Sequence, residues 1–541
     1  MKTKMFSLVI ATLLATTAHA ERVIVIMKDA KSFNAAHMAF RQKGANALKG
    51  HVLSQPVNGQ IEQSLENLNT LIVNADNDSE ISKLKADPAV AYVEKEVFHK
   101  APAPVRGWLS LPSSMAANAP APGTPWGINA VKAPQAWARS NQGQGARVLV
   151  LDTGVDANHP SIKANFEQGR DFTETSDGSD FSDQVGHGTH CSGTIAGVKD
   201  ANGFTGVAPS AKLLMGRVCE ERGCPNTAIA AGINWGISQK VDVISMSLGG
   251  DSSTPAERDA LAKADRAGLT VVAASGNSGT DQVSYPAALP TVIAVGAVNS
   301  SLVRADFSQY GKELAVVAPG AAVLSSVPTG TGRIPVASLT IGDKTAAIKS
   351  SMIHGARELP NPETRTLVDC GGGKPQDFAN KDLKDKYVLV RFGEVRVAQI
   401  FQAVTRGKAA GVIFVNNGPG VLNGAIDPVS FAVFSIEQAM GQQVSAQMTN
   451  GVEVKATLQT LVSNYEEYDG TSMATPHVAG IVALIKATNK KLTGAQVKAI
   501  LTSTATPLGP NSNNEYGAGL VNAEAAVNKA AEANPSLDFE I

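Results

Sequence analysis

Between residues 147 and 317 the chain repeats one rhythm, a short apolar run followed by a longer stretch of helix-like patterning. The apolar runs fall at 147–151, 241–246, 269–273, 292–295 and 314–317, with helix-like stretches at 228–238 and 255–267. Alternation of this kind predicts an α/β fold, a doubly wound and mostly parallel sheet with helices on both faces. Sheets of that type collect their reacting groups at the carboxyl ends of the strands.

Two polar residues stand at such ends. Val148-Leu149-Val150-Leu151 runs into Asp152, and Ala273-Ala274-Ser275-Gly276 runs into Asn277. A histidine, His187, lies between glycines in Gly186-His187-Gly188-Thr189-His190. A serine, Ser472, lies in Gly470-Thr471-Ser472-Met473-Ala474-Thr475-Pro476-His477, at the mouth of an apolar helix. Each segment alone has an ordinary explanation: a strand-end cap, a loop histidine, a Ser-Gly-Asn turn, a helix cap. The chemistry joins them. A serine hydroxyl needs a base in contact to become a nucleophile, and the base needs a partner that fixes its tautomer. A helix N-terminus supplies N–H groups for a developing oxyanion. His190 makes a metal pair with His187 conceivable, but no third ligand of suitable spacing follows.

In chain order the residues read Asp, His, Ser, and the three segments together resemble the subtilisin-like serine peptidases. The resemblance implies that Asp152 orients His187, that His187 is general base and then acid, and that Ser472 is the nucleophile. It makes Asn277 the oxyanion-hole residue and His190 structural. In subtilisin itself one such donor is worth about 10²–10³ in rate. It implies substrate-backbone pairing with Ser247, Leu248 and Gly249, and a first pocket walled by Ala274, Ser275, Gly276 and Ser284. Small residues there leave room for a medium or large apolar side chain. It also implies a buried free thiol at Cys191. The α/β-hydrolase esterases are disfavoured, because the motif here is Gly-x-Ser-x-Ala and the chain order differs.

A chain of 541 residues is too long for one core. Lys2 and Lys4, an apolar run at 5–15 and Ala18-His19-Ala20 read as a secretory signal over 1–20. Residues 21–100 resemble the small α+β propeptide of these enzymes, a folding aid and intramolecular inhibitor; 101–123 read as a linker. The catalytic domain is assigned to 124–331 and 464–532. Between them, 332–463 has a different composition and resembles an inserted, β-rich protease-associated (PA) domain. The expected protein is a secreted endopeptidase, extracellular or periplasmic, monomeric and matured by autocleavage, with protein or peptide substrates. The alternative is a catalytically silent homologue that binds peptides. Net charge is −1, which gives no hint of nucleic acid, and no membrane span is expected.

Cys219 and Cys224 bracket a turn-like loop and are expected to pair in an oxidising compartment; zinc is the rival, without a second cysteine pair. The chemistry requires no cofactor. By resemblance, the loop with Val198, Asp200, Asn202 and Phe204 matches a calcium site of the family. Ser161 and Pro122 depart from that pattern, so calcium is expected to be weak or absent.

Overall fold

The computed structural model describes residues 21–44, 59–100, 105–107, 123–173, 178–200, 203–418, 420–422, 424, 426–510 and 512–533. The expected signal, most of the linker, and the positions of Pro122 and Asn202 lie outside these. The chain forms two compact units, one ending at Val97 and one beginning at Phe98.

The first unit holds β1 (Glu21–Met27), α1 (Ala30–Lys43), β2 (Gln60–Leu65), β3 (Thr70–Ala75), α2 (Asp78–Ala86) and β4 (Val90–Lys95). The four strands form one antiparallel sheet in the order β2-β3-β1-β4. Val23, Val25 and Met27 alternate along β1 and meet Phe33 of α1 and Leu84 of α2 in a single core. Asp29 and Asn77 cap the two helices by accepting the Ser32 and Glu80 N–H groups.

The second unit opens with β5 (Phe98–His99) and β6 (Val105–Gly107), then α3 (Trp126–Ala130) and α4 (Ala133–Ser140). The alternating region follows as β7 (Arg147–Asp152), β8 (Phe166–Asp171), α5 (His187–Ala196), β9 (Lys212–Arg217), β10 (Cys224–Pro225) and α6 (Asn226–Gln239). It continues with β11 (Val243–Met246), α7 (Pro255–Arg266), β12 (Thr270–Ala274), β13 (Val292–Val298) and β14 (Val316–Pro319). Seven of these strands make one parallel sheet in the order β14-β13-β12-β11-β7-β9-β8. From β7 the chain goes first to the edge strand β8 and returns to β9 between them, then crosses to β11 and builds outward the other way through β12, β13 and β14. The crevice of a doubly wound sheet opens where the winding reverses, here at the carboxyl ends of β7 and β11.

Next come β15 (Val323–Ser326), β16 (Gly332–Ile341), β17 (Lys344–Ile348), β18 (Ser350–Met352), β19 (Glu363–Asp369), α8 (Pro375–Phe378), β20 (Tyr387–Arg391) and α9 (Val397–Arg406). β21 (Gly411–Val415), β22 (Ala432–Ile436), α10 (Gln438–Thr449) and β23 (Val454–Ser463) complete an eight-stranded sheet that begins with β16. That sheet has its own core, with Tyr387, Phe414 and Phe434 buried at its centre. Burial pushes the Cys370 thiol in this core up to about 12, which leaves it protonated and inert.

β24 (Tyr465–Asp469) pairs with β15 and leads into α11 (Thr471–Thr488), α12 (Gly494–Thr504) and α13 (Ala523–Glu532). α11 is apolar all round and buried from Thr471 to Lys486, so it runs through the molecule rather than over it. A Cβ at Gly480 would stand 2.6 Å from Val207 Cβ, so the helix touches that loop by its backbone. Gly480→Val is expected to cost about 1–3 kcal/mol, read as a lower urea midpoint at unchanged slope in a Ser472→Ala background.

Candidate active site

Asp152 closes β7 and is locked between strands, paired with Arg217 of β9 while Leu151 pairs with Met246 of β11. Its side chain is fully buried, and Oδ1 accepts from the Thr153 N–H at 2.7 Å and meets His187 Nδ1 at 2.8 Å. A carboxylate has no proton to give, so Nδ1 carries the hydrogen and Nε2 keeps the lone pair. Asp152 Oδ2 is buried without a hydrogen-bond partner, which leaves the imidazole as the main compensation for this charge. Burial disfavours the imidazolium, yet the Asp152 carboxylate holds His187 well above the ordinary value of 6.5.

His187 is the first residue of α5, and Asp183 fixes that turn. One Asp183 oxygen accepts the Gly186 N–H at 2.8 Å and the Thr153 hydroxyl at 2.9 Å; the other accepts the Thr189 N–H at 2.8 Å and hydroxyl at 2.6 Å. A Cβ at Gly188 would lie 2.2 Å from the Gly154 carbonyl, so only glycine lets α5 approach the end of β7 this closely.

Ser472 is the second residue of α11. Pro476, four residues on, has no N–H to give the Ser472 carbonyl. The Ser247 hydroxyl donates to that carbonyl instead at 2.8 Å, and the Cys191 thiol at 3.5 Å. Cys191 Sγ also lies 3.9 Å from His187 Nδ1, and burial raises its pKa above the ordinary thiol value. The potential metal ligands Asp152, His187 and Cys191 cluster within 4.8 Å. A protonated thiol bonded to a carbonyl, beside a carboxylate already holding an imidazole, is a poor metal site. The Ser472 hydroxyl donates to the Ser247 carbonyl at 3.1 Å.

Asn277 Oδ1 accepts the Thr471 N–H and hydroxyl, both at 2.8 Å. An N–H can only donate, so these bonds fix the carboxamide orientation and leave Nδ2 on the far side. Gly470 has φ +151° and its N–H bonds to the Gly320 carbonyl at 2.8 Å. A Cβ there would stand 3.4 Å from Asn277 Nδ2 and 3.6 Å from the Ser472 nitrogen. Two donors thus converge on a space that a side chain at 470 would fill.

A cavity of about 330 Å³ opens beside Ser472, lined among others by Ser247, Leu248, Gly249, Ala274, Gly276 and Ser284. Ser275, expected in its wall, is buried behind it and donates to the Gln309 carbonyl at 2.9 Å. Gln309 gave no local signal in the sequence, yet it also lines this cavity, and its Oε1 accepts the Ser278 N–H at 3.1 Å. A Cβ at Gly276 would lie 2.1 Å from Gln309 Oε1. Asp183 was equally hidden, and Thr471, though quoted in the segment around Ser472, gave no sign of its bonds to Asn277, a partner distant in sequence.

His190 stacks on Tyr468 with ring centroids 4.3 Å apart, and its Nε2 donates to the Val323 and Glu466 carbonyls at 2.9 and 3.2 Å. Burial and the neighbouring His187 push it down to about 3, so it stays neutral. Cys219 and Cys224 form a disulfide.

Among its described residues, which leave out Asn202, the calcium-like loop does not suit a cation. Asp200 Oδ1 accepts the Phe204 N–H at 2.9 Å and Oδ2 the Tyr465 hydroxyl at 3.1 Å. Tyr465 in turn lies 2.5 Å from the Ser161 hydroxyl. The Phe204 carbonyl accepts the Asp200 N–H at 3.0 Å, while the Val198 N–H bonds to the Ser161 carbonyl at 2.8 Å. Donors occupy both oxygens of the one carboxylate, whereas calcium wants six to eight oxygens free to turn inward.

The subtilase family model matches residues 143–347 and 420–519, and the PA domain model matches 363–444. Subtilisin NAT of Bacillus subtilis subsp. natto is 37% identical over 292 residues, covering 53% of this chain and 71% of that protein. The major intracellular serine protease of Bacillus subtilis (strain 168) is 44% identical over 213 residues, covering 38% of this chain and 67% of that protein. The crystal structure of the psychrophilic subtilisin-like protease Apa1 from the Antarctic psychrotroph Pseudoalteromonas sp. AS-11 superposes with a TM-score of 0.57 at 29% identity. It covers 76% of this chain and 99% of that one. The fold and the matched sequence define a serine peptidase with an inserted PA domain. The chain belongs to the subtilase family.

Asp200→Ala is expected to lower Tm by the same amount in chelator as in millimolar calcium, because hydrogen bonds and not a cation are lost; differential scanning calorimetry in the two buffers checks this.

Proposed function

We propose that the chain is a secreted endopeptidase, made as a precursor and matured by its own Asp152, His187 and Ser472. The observation that carries this reading is the fully buried Asp152–His187 pair on one side of Ser472 and the outward-turned Asn277 amide on the other. Substrate lies along Gly249 as an added strand, and its scissile carbonyl comes to Ser472. The Ser472 hydroxyl leaves the Ser247 carbonyl and gives its proton to His187 Nε2 as Oγ attacks the carbonyl carbon. The oxygen of the tetrahedral intermediate takes hydrogen bonds from the Ser472 N–H and Asn277 Nδ2. His187 then protonates the leaving amine, and the same base activates the water that releases the acyl group. Asp152 stabilises the imidazolium throughout.

Export rests on the charged and apolar start of the sequence and on a disulfide that suits an oxidising compartment. No helix among the described residues is long and apolar enough to cross a membrane. One observation favours the silent-homologue alternative, the Ser472 hydroxyl resting on Ser247 rather than on His187. Hydrogen bonds of this kind often form only with substrate bound, so the peptidase reading stands ahead.

Intact mass of wild type beside Ser472→Ala decides between them. Wild type is expected to lose the unit that ends at Val97 while the variant keeps it; equal full-length masses would favour the silent homologue. The base works only when neutral, so kcat/KM should fall with decreasing pH through a midpoint above 6.5, set by the raised His187. Asp152→Asn removes the charge that raises it; a lower midpoint and a loss of about 10⁴ in kcat are expected from a pH–rate profile.

A further inference from the structure

The segment at the start of the second unit lies in the cleft beside Ser472. Phe98 and His99 of β5 pair antiparallel with Pro225 and Cys224 of β10, and Lys100 bridges antiparallel to Gly249. Side chains alternate as in any strand, with Lys100 exposed and His99 only 5% exposed. His99 Nε2 lies 3.1 Å from Glu257 Oε1, and Glu257 is itself 3% exposed. The second carboxylate oxygen, Oε2, accepts the Ser253 hydroxyl at 2.8 Å. A Cβ at Gly250 would stand 2.5 Å from His99 Nδ1, so bare backbone makes room for the ring.

Glu257 is the third residue of α7, where a glutamate commonly turns back to cap its own helix. Here Thr254 Oγ1 accepts the Glu257 N–H at 3.2 Å, and the carboxylate is aimed at the strand in the cleft. The helix therefore does not account for this acid. A buried carboxylate is costly unless it is partnered, and an imidazole N–H supplies the partner. The pair Glu220-Glu221 is the more obvious acidic feature of the sequence, but Glu220 is ion-paired with Arg222 at 2.6 Å.

We infer that Glu257 is a specificity-determining residue, whose carboxylate favours peptide substrates carrying histidine at the position His99 occupies. The inference rests on the peptidase reading above. The register fixes the position. A substrate residue opposite Ser247 lies next to the Ser472 hydroxyl, which bonds to the Ser247 carbonyl. Counting back past Leu248 and Gly249, the residue at the His99 position is the fourth before the bond attacked.

The test uses mature enzyme from the full-length chain and the substrates acetyl-X-Ala-Ala-Leu-p-nitroanilide, with X as His, Phe or Ala. Wild type is expected to show kcat/KM about tenfold higher for His than for Phe or Ala, as a charge-assisted hydrogen bond allows. Glu257→Leu is expected to reverse the order of His and Phe while leaving the Ala substrate within about twofold, which shows the catalytic groups intact. Equal rates for the three substrates in wild type would overturn the inference whether or not the variant folds, and so would a histidine preference that survives in Glu257→Leu. Hydrolysis of none of them would overturn the peptidase reading itself, and this inference with it.

Discussion

A helix buried along nearly its whole length cannot leave the polar groups of its first turn unpartnered, and this constraint on α11 organises the site. The Thr471 N–H and hydroxyl go to Asn277, just beyond β12. The Ser472 carbonyl, left without a helical donor by Pro476, goes to Ser247, just beyond β11. The Gly470 N–H goes to Gly320, just beyond β14. Three strand ends are thereby drawn onto one turn of helix. Two of the residues that satisfy the helix, Asn277 and Ser247, also line the cleft, so packing and chemistry are met there by the same bonds.

The other half of the site solves a different problem. Asp152 is a buried charge with one oxygen unpartnered, and it is tolerable only beside a group that can become positive. His187 is that group, and it is held from the other side by Asp183 through the loop at Gly186. Cys191 spans the two halves, with its thiol against the Ser472 carbonyl and 3.9 Å from the His187 ring. A larger side chain would push α5 from α11, and a charged one would upset the Asp152–His187 balance. A small neutral thiol does neither.

The sheet, the three segments around Asp152, His187 and Ser472, and the inserted unit were legible because each is a local pattern. A buried parallel strand reads as an apolar run, and β7, β11, β12, β13 and β14 lie within a few residues of the expected runs. β8 and β9 escaped: β8 is an edge strand with partly exposed polar residues in Phe166–Asp171, and the apolar run of β9 is only Leu213 to Met215 between Lys212 and Gly216. Gln309, Asp183 and Glu257 escaped for another reason. Each is one polar residue whose role exists only when segments far apart in sequence meet, as Glu257 and His99 do across 158 positions. The reading of Asp200 was partial in the same way. Its loop resembled a calcium site that Ser161 and Pro122 were expected to weaken, while the group that takes its Oδ2 is Tyr465, on the far side of the insertion.

The insertion enters and leaves at neighbouring points, since Gly332 pairs with Ser463, so its length costs the catalytic fold little loop-closure entropy. The joint is Asn464. Its carbonyl accepts the Val327 N–H and the His159 Nε2–H, both at 2.9 Å, and its side chain accepts the Gly330 N–H at 2.9 Å. One strand pair further in, the Ser325 and Ser326 hydroxyls donate to the His190 and Thr189 carbonyls of α5 at 2.8 and 3.0 Å. β24 then runs directly into Gly470 and Ser472. A loosely tethered module would need a flexible neck, and this one is pinned at its joint by three bonds and paired strands. The inserted sheet is therefore held in register with both the histidine-bearing and the serine-bearing helix. β15 and β24 thus give the inserted sheet a direct, hydrogen-bonded connection to the site.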